Sequence, residues 1–451
     1  MKREICGMKF SDKCQRIVLR ISLSVMVLLS IILSGYIWGS DTRFSRMEQD
    51  SNQPTIKKNV GQKSLREIYT PTQVFYYRDK QLYQAYDAKR NLTLEFSKFT
   101  KKLDGHKLNK IKSNSTFYRQ LLHDEKYFQL TFPDQITISL FLPRANKYLD
   151  GEFNRIFVST KDKKYLYLGD DRNNTLYRVY ANVSFKNLYK HIQKAASQIP
   201  ISLEKLKDGF CVSYNKDQQM AIYSYLTYKE TDAYFVYKLL DSGNPTQRNA
   251  DDYIAYYNGI YQRLVAYKKT HNYEFVDYQQ NKIPNTTTKM LTDSLFYVRK
   301  ICLNEPDLRF FDASNNTISY QKFVEEYPVF LPEDNNVRAK VTFTRSCMQI
   351  NFNSLDLRIP IPTNGAKQEL QATDKIIDKL LQAGYKKSYL EKIIIGYKVC
   401  HDTNKTSNLI DLIPTYYIKI NGRWHSLDAW LNNNYEVHIP ASQQGGISNG
   451  F

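Results

Sequence analysis

Apolar residues are spaced along this chain in three ways, and each spacing predicts a different kind of element. Near the N-terminus, residues 21–38 (ISLSVMVLLSIILSGYIW) run without a charge, between Arg20 and Asp41. As a helix rising 1.5 Å per residue, that stretch spans roughly 27 Å, close to the ~30 Å hydrocarbon core of a bilayer. Ile17, Val18 and Leu19 lengthen it, and Arg20 is able to snorkel. Ser22, Ser24, Ser30 and Ser34 are tolerable there because a hydroxyl bonds its own helix's carbonyls. The pattern predicts a single transmembrane helix over 17–40, after a cytoplasmic basic tail at 1–16. No other segment is apolar over such a length. The polar stretch 41–63 lacks periodicity and reads as a tether.

The second spacing is alternation. Val337, Ala339, Val341 and Phe343 alternate with polar residues, as do Met348, Ile350 and Phe352, then Leu355, Leu357, Ile359 and Ile361. Period 2 predicts an antiparallel meander with one wet face. Strands are also expected at 72–77 and 81–86, joined as a hairpin by Arg78-Asp79-Lys80, and at 126–132, 136–142, 155–159, 165–168 and 176–180. Further strands are expected at 210–214, 220–228, 234–240, 261–267, 273–278, 392–399 and 412–420.

The third spacing is helical. Leu92, Phe96, Phe99 and Leu103 share one face of a helix over 91–103, and further helices are expected at 116–122, 184–197 and 289–301. Leu370, Ile376, Ile377, Leu380 and Leu381 form a stripe that should cover the dry face of the meander, with Gly384 as its C-terminal cap. The fold class is α+β: an N-terminal transmembrane helix, then a multi-domain extracytoplasmic region of mostly antiparallel sheets with packed helices. Units are expected at 64–200, 201–287 and 288–440, with a boundary at Ile199-Pro200 and a disordered tail at 441–451.

Charge sets the topology. Residues 1–20 carry six basic and two acidic side chains, a net +4, so the positive-inside rule keeps the N-terminus in the cytoplasm and exports the rest. A cleaved signal peptide is the competing reading; the apolar stretch is long for one, and no A-x-A-like site follows it. Of the chain's net +19, the remaining +15 belongs to residues 41–451. A basic surface outside the membrane reads first as solubilising charge with no specific partner; as a binding surface it favours anionic lipid or acidic wall polymers over nucleic acid. Of the six cysteines, Cys211, Cys302, Cys347 and Cys400 are too scattered to suggest a framework, and buried free thiols are expected.

Catalytic constellations do not stand out. The chain has no G-x-S-x-G, H-E-x-x-H, P-loop or dinucleotide-binding glycine pattern. His401-Asp402 opens a polar loop without a nucleophile nearby, and Glu325-Glu326 reads as solvated charge. Neither an enzyme nor a cofactor or metal site is expected. The apolar helix itself carries Ser30 and Ser34, and Gly35 and Gly39, at the four-residue spacing that lets helix backbones approach closely.

The run Ile68-Tyr69-Thr70-Pro71-Thr72-Gln73-Val74, leading into a hairpin, resembles the start of YycH-family ectodomains. Ile393-Ile394-Ile395-Gly396-Tyr397, then Pro414-Thr415-Tyr416-Tyr417 leading to Trp424, is similar to the end of that family. Family members often carry Trp in the second strand, where this chain has Tyr416 and Tyr417. The resemblance implies a membrane-anchored regulator of the WalK (YycG) sensor histidine kinase, which controls cell-wall metabolism in Gram-positive bacteria. It also implies that region 288–440 is YycI-like and that the ectodomain pairs with a YycI-like protein. Kinase contact would then fall on Ser30, Ser34, Gly35 and Gly39 as the close-approach face, with Leu28, Ile31, Ile32 and Leu33 packing around them. The alternative from composition alone is an envelope protein whose basic ectodomain binds anionic wall polymers and whose helix only anchors it.

Overall fold

The structure is a computed structural model that describes residues 22–30, 65–100, 102–111, 115–142, 144–161, 164–240, 245–301, 307–332, 337–363, 365–401 and 408–432. The chain divides into two units, Met1–Gln62 and Lys63–Phe451. In the first unit, residues 22–30 form a helix with every side chain exposed. Among the described residues no helix is long and apolar enough to cross a membrane; the remainder of the expected 17–40 span lies outside them.

The second unit holds two large sheets. The first has nine strands, all paired antiparallel, with Leu103–Ile111 at one edge and Gly209–Tyr214 at the other. Beside its central strand, Tyr127–Thr137, is the hairpin Gln73–Arg78/Gln81–Tyr86, as expected from the sequence. Asp79 and Lys80 both have positive φ (52° and 62°), the geometry of a two-residue turn whose twist matches the strands it joins. The second sheet has fourteen strands, and the long hairpin Leu390–His401/Leu409–Ile420 lies within it. All its pairings are antiparallel except Tyr327–Phe330 against Leu390–His401. Among the described residues the fold is therefore α+β with mostly antiparallel sheets.

Several elements differ from the sequence reading, each for an identifiable reason. The helix expected to reach Leu103 is Leu92–Thr100, capped by Asn91, whose Oδ1 accepts from the Leu94 amide at 2.9 Å. Leu103 instead opens the edge strand Leu103–Ile111, whose sequence LDGHKLNKI is too polar to display a period. The expected strand 136–142 is split: Ile136 and Thr137 end the strand Tyr127–Thr137, and Ile138–Phe141 is one helical turn. That turn lays the Phe141 ring against Phe96, Phe132 and Phe153. The helix expected over 184–197 is the shorter Lys186–Gln193. Residues 234–240, rich in aromatic and branched side chains, belong to the helix Asp232–Leu240 rather than a strand. Its buried Phe235, Val236, Leu239 and Leu240 repeat at helical spacing.

The C-terminal alternation holds for Ala339–Phe343 and Met348–Asn353, which pair with each other. The third run, Leu355–Ile361, leaves that meander and pairs with Tyr223–Lys229. The helix Thr373–Gln382 packs on Gly209–Tyr214 and buries Ile376, Ile377 and Leu380 in the core shared with the long hairpin rather than the meander, and Leu381 is 41% exposed. Thr287–Ile301 covers the meander instead, through Leu291, Leu295 and Val298. Gly384 caps the shorter helix as expected. Its φ is +94°, its amide bonds Leu381 O at 3.0 Å, and the Tyr385 amide reaches Leu380 O at 3.1 Å.

Ile199 and Pro200 lie inside the strand Ser197–Leu206, where Pro200 pairs with Tyr83. On the other side, pairing with Gly209–Tyr214 begins only at Ile201, so the proline's missing amide costs no ladder bond there. The strands within residues 201–287 are divided between the two large sheets and a two-stranded one, in which Gln218–Ala221 pairs with Lys367–Leu370.

Candidate functional site: a polar seam and cavity between the sheets

Chemistry-bearing side chains gather where the first sheet faces the hairpin Leu390–His401/Leu409–Ile420 and the strands before it. Three groups lie along this seam, and two of them are internally satisfied.

The first centres on Arg155, whose side chain is 1% exposed. Its Nε donates to Asp171 Oδ1 and Oδ2 at 2.9 and 3.1 Å, Nη2 to Oδ2 at 2.8 Å, and Nη1 to Gln129 Oε1 at 2.9 Å. Tyr118 donates its hydroxyl to Asp171 Oδ1 at 2.6 Å. Burial alone would lower the Arg155 pKa, but the Asp171 carboxylate outweighs it and the net direction is upward. A bidentate pair this well satisfied is structural.

The second group is a buried charge clamp. Pro133 and Asp134 occupy an irregular point in the strand Tyr127–Thr137, where the register to the next strand shifts between Thr131 and Ile136. Lys392 Nζ reaches Asp134 Oδ1 at 2.9 Å and Pro133 O at 3.0 Å, and stands 3.8 Å from Asp312. Lys419 Nζ donates to both Asp312 oxygens at 2.8 and 3.0 Å, with the two side chains 2% and 5% exposed. Ala313 donates its amide to Asp134 Oδ2 at 3.0 Å. Burial raises the Asp134 pKa, but Lys392 and Lys419 outweigh it and hold the carboxyl well below its ordinary value. Burial pushes the Asp312 carboxyl up, with Lys419 opposing.

The third group is unsatisfied. Glu325 and Glu326 form the two-residue turn between Thr317–Val324 and Tyr327–Phe330, with φ of 49° and 71°. The sequence reading of both as solvated charge is corrected here, because the turn directs Glu326 inward, where it is 7% exposed. Its Oε2 has no hydrogen-bond partner among the described residues. Burial pushes its pKa up to about 8 against the pull of Arg309, and Glu325 adds to the rise. Arg309 Nη1 is buried without a partner as well, and burial lowers that guanidinium's pKa. Two glutamates inside the apolar run FVEEYPVF were the sequence signal for a turn; nothing in it said which would face inward.

Between these groups lies a cavity of about 90 Å³ lined in part by Phe132, Arg155, Phe210, Glu326, Lys392 and Trp424. Beside it, the motif ending in Gly396-Tyr397 acquires a packing reason. The Phe330 ring stacks on Tyr417 with centroids 3.6 Å apart, and a Cβ on Gly396 would sit 2.7 Å from Phe330 Cε2. Of the residues singled out for helix contact, Leu28 and Ser30 are exposed on the helix 22–30. Ile31, Ile32, Leu33, Ser34, Gly35 and Gly39 lie outside the described residues. Cys211, Cys347 and Cys400 are free thiols, half-buried rather than fully buried.

Fold and seam together define an α+β protein of two large, mostly antiparallel sheets, held at their junction by buried ion pairs. The chain belongs to the YycH family: the model for the YycH protein N-terminal domain matches residues 18–197, and that for the YycH protein C-terminal domain matches 214–434. YycH is a regulatory family. The crystal structure of YycH from Bacillus subtilis is similar with a TM-score of 0.65 and 15% sequence identity, over 83% of this chain and 99% of that one; at that identity the likeness speaks for the fold. No curated protein matches the chain.

Proposed function

We propose that the protein is an accessory regulator of a WalK (YycG)-like sensor histidine kinase and tunes that kinase's control of cell-wall metabolism. The observation that carries the reading is the succession of the two YycH domain matches over residues 18–197 and 214–434. On this reading the chain is a single-pass membrane protein with its N-terminus in the cytoplasm and Lys63–Phe451 outside. The helix at 17–40 packs against the kinase's own helices, while the ectodomain pairs with a YycI-like protein. The helix acts by preferring one of two packings of the kinase helices. A preference of roughly 1–3 kcal/mol changes signalling about 5–150-fold, the usual span of allosteric coupling. The reading also fits the seam, where buried ion pairs and the Arg155–Asp171–Tyr118 network serve cohesion.

The test replaces residues 21–38 with an unrelated apolar span of equal length and reads a kinase-dependent wall-gene reporter in the native host. Loss of control supports contact through the helix. Unchanged output, with the protein still in the membrane, refutes it.

A further inference from the structure

The cavity is bounded by charged groups, and all but one are already answered. Arg155 is bound by Asp171. Lys392 is bound by Asp134 at 2.9 Å. Glu391 accepts from Lys207 at 2.9 Å and from the Gly422 amide at 3.0 Å. Asp208 lies 3.8 Å from Arg172. The exception is Glu326, buried at the cavity wall with Oε2 unpartnered. The groups that act on it from the surrounding elements are Arg309 on Leu308–Ser314, Glu325 on its own turn, Tyr86 on Gln81–Tyr86, Tyr214 on Gly209–Tyr214, and Tyr327 beside it. Arg309 is not among the residues lining the cavity. Among the described charged groups lining the cavity, the one left unanswered is therefore the Glu326 carboxyl.

The rest of the wall says what kind of group would meet it. Phe75, Phe132, Phe311 and Trp424 line the space, as do Phe210 and Phe323, whose rings already carry Lys205 and Arg309 at 4.8 and 5.5 Å, and aromatic faces attract cations, most strongly where water is excluded. A volume of about 90 Å³ exceeds the roughly 10–15 Å³ that a single water needs on the same measure, which leaves room for a small group of heavy atoms.

We propose that this cavity binds a small organic cation, an alkyl- or tetraalkylammonium group, with Glu326 as counter-ion and the aromatic wall as its seat. The inference stands apart from the kinase reading, since it rests only on the geometry of Lys63–Phe451. It carries a linkage: with its pKa up at about 8, Glu326 is largely protonated at neutral pH and must release that proton to receive a cation. Binding therefore tightens as pH rises and levels off above about pH 8.

The experiment is isothermal titration calorimetry of the full chain in detergent with tetramethylammonium chloride. Sodium chloride at equal ionic strength and neutral tert-butanol serve as controls. Titrations at pH 6.5 and pH 9, each in two buffers of different ionisation enthalpy, count the protons released. The expected result is saturable tetramethylammonium binding, weakening about tenfold per pH unit below pH 8, with close to one proton released at pH 6.5. Glu326→Gln should abolish binding and Glu326→Asp should retain it. Proton release by the wild type gives a reading that does not depend on how either variant folds. Absence of binding at either pH, binding that ignores pH and the Glu326→Gln change, or preferential uptake of acetate would each overturn the proposal.

Discussion

Removing the Lys419 ammonium is the sharpest structural perturbation the seam offers. Lys419→Met keeps the length of the stem while deleting the donor that holds both Asp312 oxygens at 2.8 and 3.0 Å. Asp312 is 5% exposed and its next cation, Lys392, stands 3.8 Å away and is already committed to Asp134. The variant therefore leaves a buried carboxylate poorly compensated, a change that costs about 3–5 kcal/mol against a total stability of roughly 5–15 kcal/mol. Burial already raises the Asp312 pKa, and losing Lys419 raises it further. The unfolded carboxyl titrates near ~3.9. Between that value and the raised folded one the native state binds more protons, so the variant's stability falls as pH rises through the window. The loss should accordingly be larger at pH 8 than at pH 4.5. Asp312→Leu combined with Lys419→Met removes both charges and should recover most of the loss. Urea unfolding followed by tryptophan fluorescence is a suitable assay, because Trp424 and Trp430 are both buried near this hairpin. A loss under about 1 kcal/mol, or one independent of pH, would refute the view that Lys419 compensates a buried Asp312 carboxylate within the second sheet.

Two further predictions concern stability. Glu326→Gln should be near neutral at pH 5 and more stable than wild type by about 2–5 kcal/mol at pH 9. The native carboxyl is raised to about 8, so the wild type loses stability as pH climbs from the unfolded value toward 8; parallel wild-type and variant pH profiles would contradict this. Gly396→Val should cost about 1–3 kcal/mol through overpacking, since its Cβ would meet the Phe330 ring and Pro328 O at 2.7 and 3.0 Å. A melting temperature equal to wild type would show that the Phe330–Tyr417 stack yields freely.

What the sequence revealed divides along the range of the interactions involved. Local patterns were legible: the period-2 runs at Ala339–Phe343 and Met348–Asn353, the Asp79-Lys80 turn and the Gly384 cap each depend on residues within one element. Tertiary choices were not. Phe235, Val236, Leu239 and Leu240 suit a strand by type, and it is packing beside the hairpins of the second sheet that makes them a helix. Leu355–Ile361 alternates as well as its neighbours do, yet pairs with a strand more than 120 residues earlier. The seam was least visible of all. Lys419 and Asp312 are 107 residues apart, and Lys392 and Pro133 are 259 apart, so no spacing could suggest that these charges share one interior. Glu326 misled for a simpler reason: of two adjacent acidic residues at a turn, the backbone at positive φ put one inside.

The central claim, regulation of a sensor kinase, is tested most directly by affinity capture of the C-terminally tagged full chain from detergent-solubilised membranes of the native host. The account predicts a WalK-like kinase and a YycI-like protein in the eluate, with the kinase lost when residues 21–38 are replaced. Recovery of anionic wall polymer or wall enzymes without a kinase would contradict it and shift attention to the basic surface of the ectodomain.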